Sequence, residues 1–132
     1  MQHRRLADIV ILTCAISAGI HAALVPEHFD EGTGPGMGFV LSAVLLVALA
    51  VVLTRRSSPL AFAAAAAVFA GLLAAYALAV TTGLPVLHPE TETMDGLALF
   101  TKGVEAIGLV VALIALGRPS LVIHMQPKGT RP

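Results

Sequence analysis

Residues 6–31 read LADIVILTCAISAGIHAALV followed by PEHFDE, an apolar run up to Val25 and then a sudden gathering of His28, Glu27, Asp30 and Glu31 behind Pro26. The apolar part is close to the roughly 20 residues that cross a bilayer, which makes it a membrane span. Pro26 sets the expected end, because proline disfavours helical geometry in the residue before it. Helix 1 is therefore expected over 6–25, behind the basic flank Met1 to Arg5. A cleaved secretory signal shares the basic start and the apolar stretch, with Ser17-Ala-Gly19 as a small-residue cleavage site, but this run is longer than the usual signal core.

Outward from that stretch, three more apolar runs follow at 37–54, 60–81 and 95–116. Hydrophobic residues make up 57% of the 132-residue chain and charged residues 12%, with a mean hydropathy of +0.88, so the composition is that of a membrane protein. The expected fold is all-α: a polytopic membrane four-helix bundle built over residues 1–119, as two helical hairpins of matching direction. Gly32-Thr-Gly-Pro-Gly36 marks residues 26–37 as a loop, and helix 2 after it is short for a span. Helix 3 carries small side chains from Ala61 to Ala67, which lets another backbone approach closely. Thr91 or Thr93 is the expected N-cap of helix 4, with Asp95 in its first turn. Residues 120–132 read as a disordered cytoplasmic tail.

Charge distribution gives an orientation. Arg4, Arg5, Arg55, Arg56, Arg118, Lys128 and Arg131 fall on the side of the two termini and the turn after helix 2. By the positive-inside rule that side is cytoplasmic, and the protein is expected in a bacterial plasma membrane with both termini inside. Glu27, Asp30, Glu31, Glu90, Glu92 and Asp95 then face outward. The zero formal net charge argues against nucleic acid as a partner, since phosphate binding needs a basic surface. The single cysteine, Cys14, excludes an intrachain disulfide and a Cys-pair metal site.

Two constellations carry chemistry. The outer one joins His21, His28 and Glu31 with His88 from the second loop, and imidazole with carboxylate is what a divalent zinc or copper ion takes as ligands. Its bland alternative is a set of solvated loop carboxylates that offset helix dipoles. The inner one is a polar pocket of His21, Lys102, Glu105 and Asp95. Along helix 4, Lys102 and Glu105 lie roughly 10 and 15 Å below Asp95, so Glu105 is near mid-bilayer. On helix 1, Ser17 and Cys14 continue the stripe of His21 inward at i−4 and i−7. An ionisable pair at that depth is expected to face the bundle interior, as a functional site or as a structural ion pair that docks helix 4. The chain has no phosphate loop, nucleophile elbow or H-E-x-x-H, so no catalytic residue is assigned.

Ser17 to Glu31, with the following Gly36-Met-Gly-Phe39, resembles small four-helix membrane proteins of high-GC Gram-positive bacteria over roughly the first third of the chain. The layout of helices and loops is also similar to that of DoxX-like four-helix proteins, and that resemblance implies a redox-associated membrane role. The residues themselves favour a non-enzymatic protein whose outward pocket binds a cation or proton. The alternative is an accessory or assembly subunit that meets a membrane protein partner, or a second copy of itself, through the Ala-rich helix 3.

Overall fold

The computed structural model describes residues 2–84 and 91–118. Four helices make up the fold: α1 Gln2–Glu31, α2 Thr33–Arg55, α3 Pro59–Thr81 and α4 Gly96–Leu116. All four are long and apolar enough to cross a membrane. Their outward faces carry Leu12, Leu41, Val44, Leu60, Phe100 and Ile107 in exposed positions, as lipid-facing surfaces do. The chain is a small multi-pass membrane protein of the all-α class. α1 lies along α2, α3 along α4, and α1 returns against α4, with a lighter seam between α2 and α3.

The expected end of helix 1 at Val25 is corrected. α1 runs through Pro26 to Glu31, and the residues expected as a loop at 26–37 are helical on both sides of Gly32. Proline removes only the one hydrogen bond to the carbonyl four residues back, and membrane helices tolerate that where neighbours and local adjustment satisfy the freed group. Pro35 sits in the first turn of α2, where a missing N–H needs no partner inside the helix. The whole reversal between α1 and α2 falls on Gly32, whose φ of 155° is a conformation that only glycine adopts without strain. Phe29 then lies flat over Gly36, so closely that a Cβ there would collide with its ring.

Standard capping fixes the remaining ends. Ser58 caps α3, its hydroxyl accepting from the Ala61 N–H at 3.2 Å, with Pro59 next in the chain. Asp95 itself is the N-cap of α4, its carboxylate accepting from the Ala98 N–H at 2.7 Å, so neither Thr91 nor Thr93 takes the place expected for it.

The bundle is built in two unlike halves. Toward the Arg55 end, Val10, Cys14, Leu46, Leu53, Phe62 and Phe69 form a fully packed core closed by Ala112 and Ala115. Gly108 makes this possible, because the Phe69 ring and the Thr13 hydroxyl occupy the space a side chain there would take. Toward the Gly32 end the helices line a half-open cavity of about 630 Å³. Glu105 lies between the two halves.

Candidate functional site

Helical periodicity puts Thr13, Ser17 and His21 on one face of α1, and Thr101, Glu105 and Gly108 on one face of α4. The two faces meet, and every one of these residues except Gly108 is a buried polar or charged group. Thr13 and Thr101 satisfy their hydroxyls locally, on the carbonyls of Val10 at 2.9 Å and Leu97 at 2.8 Å. That leaves Ser17, His21 and Glu105 to one another, joined by Lys102 from the turn of α4 above.

Glu105 has no solvent exposure, so its charge must be met inside the protein. Lys102 donates to Oε2 at 2.7 Å, and the Ser17 hydroxyl donates to Oε1 at 2.8 Å. The ammonium comes from three residues earlier on the same helix, a spacing at which side chains meet. Its other side lies over the Tyr76 ring, 5.4 Å from the centroid. With His21 neutral, the site carries no net charge: one ammonium and one carboxylate, each hydrogen-bonded.

His21 completes the arrangement. Its Nδ1 lies 2.9 Å from the Ser17 carbonyl oxygen, which can only accept, so Nδ1 carries the ring hydrogen. The second nitrogen, Nε2, is then the unprotonated one in the neutral ring, and it faces Oε1 of Glu105 at 3.9 Å. Nε2 and Oε1 both carry lone pairs, and their 3.9 Å separation is longer than a hydrogen bond. Phe39 of α2 backs the imidazole, with ring centroids 5.1 Å apart.

The residues expected to form the inner pocket are placed as follows. His21, Lys102 and Glu105 converge. Asp95 does not join them; it caps α4 and stands exposed at the cavity mouth. Of the outer set, His28 donates from Nδ1 to the Leu24 carbonyl at 2.9 Å and stacks on Phe39 at 3.5 Å between centroids, while Glu31 lies at the rim of the cavity. His88 lies outside the described residues. Among the described residues no three His, Cys, Asp or Glu side chains come together to hold a metal ion. The cause is the continuation of α1: His21 and His28 are seven residues apart on an unbroken helix, so about 10 Å separates their positions along its axis.

Phe39 and Tyr76 were not expected from the sequence. Tyr76 had a signal: it is the one tyrosine in the chain, set in an otherwise apolar α3. Phe39 had none, since a phenylalanine in a membrane helix is ordinary.

Fold and site together define a four-helix integral membrane protein with an ionisable cluster at the floor of a cavity. No protein-family model, no curated protein and no solved structure matches this chain.

Proposed function

We propose that this protein binds a proton on His21 Nε2, beside Oε1 of Glu105, reached through the cavity from the outer side of a bacterial plasma membrane. One observation carries the reading. His21 commits Nδ1 to the Ser17 carbonyl and turns its basic nitrogen toward a carboxylate 3.9 Å away, in a site whose charge is already balanced by Lys102. A proton arriving there forms an imidazolium whose burial cost is offset by the facing carboxylate and the Ser17 carbonyl.

The orientation rests on the basic residues at the termini and at Arg55 and Arg56. The packed half containing Phe62 and Phe69 separates the site from the cytoplasmic side, so the protein holds a proton rather than conducting one. A proton fits better than a metal ion, because the described residues supply no third ligand.

The groups that face the imidazole are Glu105 and Lys102 of α4 and His28 of its own helix; α2 contributes the uncharged Phe39. Nuclear magnetic resonance of the full chain in lipid nanodiscs, with labelled histidine and glutamate and with His21→Asn to identify the signal, tests the reading. As pH falls, the Nε2 resonance of His21 is expected to pass from its unprotonated to its protonated position. The Glu105 carboxyl carbon is expected to move over the same pH range, while Nδ1 stays protonated throughout. An Nε2 that never titrates, or a Glu105 signal indifferent to His21, would sink the proposal.

A further inference from the structure

The end of the bundle away from the cavity carries charge of almost one sign. Arg4 and Arg5 lie on α1, Arg55 and Arg56 close α2, and Arg118 follows α4; all five are exposed. The His3 ring meets Phe62 edge-on, with centroids 5.4 Å apart, so the first turns of α1 and α3 stand at one level. Arg56 reaches that level too, because its carbonyl accepts from the N–H of Ser58 at 2.9 Å, and Ser58 caps α3. Outside residues 27–31 and 90–105 the sequence has one acidic side chain, Asp8. Among the described residues Asp8 forms no ion pair with any of these arginines.

Helix dipoles account for only part of this charge. Arg55 and Arg56 at the end of α2, and Arg118 just after α4, offset the partial negative charge of helix C-termini. Arg4 and Arg5 stand in the first turn of α1, where the partial charge is positive and no acidic residue compensates it. These two arginines oppose their own helix unless an anion meets them. Exposed apolar side chains adjoin the patch: Leu60, 79% exposed at the start of α3, with Val52 on α2 and Ile114 on α4. They belong to the lipid-facing surface, so an anion that reaches the arginines from the bilayer can keep a hydrocarbon body against them. A guanidinium also suits phosphate, to which it donates two parallel hydrogen bonds.

We propose that this end of the bundle binds the headgroups of anionic phospholipids, with Arg4 and Arg5 on the lipid phosphate, Arg55 and Arg56 beside them, and the acyl chains against the neighbouring exposed apolar side chains. The occupant is a bilayer lipid because the patch adjoins apolar faces that an inorganic ion would leave uncovered. A zwitterionic headgroup brings a cation with its phosphate and is held less well. His21 and Glu105 lie elsewhere in the bundle, and this binding does not depend on their titration.

The test uses the full chain in phosphatidylcholine vesicles, with a trace of phosphatidylglycerol or phosphatidylcholine spin-labelled on an acyl chain. Electron paramagnetic resonance gives the fraction of each label slowed by contact with the protein. At low salt, phosphatidylglycerol is expected to associate about fivefold more strongly than phosphatidylcholine, the contribution of a single arginine at a charged surface. Sodium chloride is expected to erode that preference. Arg4→Gln combined with Arg5→Gln is expected to bring it below about twofold while the helical circular dichroism is kept. Equal association of the two lipids with the unaltered protein overturns the proposal, whether or not the variant folds. A folded double variant that keeps the full preference also overturns it, because the arginines of α1 would then not hold the lipid. Inorganic phosphate separates the two sources of the anion. If it removes the preference where sodium chloride of equal ionic strength does not, the site takes the free ion and the lipid assignment fails; equal effects of the two salts support the lipid. The labelled histidine titration reads the other site, so the two proposals fail separately.

Discussion

At the scale of single residues, Glu105 decides how the centre of the bundle holds together. A carboxylate with no exposure is stable only while its partners remain, and the ammonium of Lys102 is bound to the same condition from the other side. Lys102→Met is expected to destabilise the fold by about 3–5 kcal/mol, because it strands a buried charge. The double variant Lys102→Met with Glu105→Leu is expected to be much less damaged than the sum of its two single variants, since it removes both charges at once. Reversible unfolding in mixed micelles measures all three, and strict additivity would show that the pair is not coupled. The sequence disclosed Lys102 and Glu105 plainly, as charges in an apolar helix. It disclosed His21 through the helical spacing with Ser17. The choice of nitrogen that faces Glu105 could not be read there, because it depends on the distance from Nδ1 to a backbone carbonyl.

Among the elements, α1 was legible in kind but not in length. Pro26 and the run Gly32 to Gly36 carry the turn chemistry of soluble proteins, where proline and glycine end helices by exposing backbone to water. Pro26 takes only one hydrogen bond from α1, and helix persists because the rest of the backbone closes its own. One residue alone performs the turn, and its conformation is closed to any side chain. Gly32→Ala is therefore expected to cost about 1–3 kcal/mol, read as a lower midpoint of thermal unfolding, while Gly38→Ala, with open space around it, leaves the midpoint close to that of the parent. Equal effects at the two positions would show that the φ of 155° at Gly32 does not constrain the protein. The continuation of α1 through Pro26 also sets the spacing of two of the histidines. A loop could have folded His28 back toward His21, whereas a continuous helix keeps them two turns apart.

For the molecule as a whole, four spans were legible because composition and run length alone specify them. The division into a packed half and a hollow half was not, since it follows from where Thr13, Phe69 and Gly108 interlock across three helices. That division has an electrical meaning. A membrane voltage drops where the medium is least polarisable, and here that is the layer of Phe62, Phe69, Leu46 and Leu53 rather than the polar cavity. A full crossing is worth about 2.3 kcal/mol per charge at 100 mV, but a proton coming to His21 through the cavity traverses little of that field. Loading in proteoliposomes is therefore expected to follow outer pH with almost no response to an imposed potential. A midpoint that moves strongly with voltage would place the insulating layer on the other side of Glu105. On the proposed reading, with Phe62 and Phe69 as its dielectric, the bundle acts as an outward-facing electrode that senses acidity while remaining nearly blind to voltage.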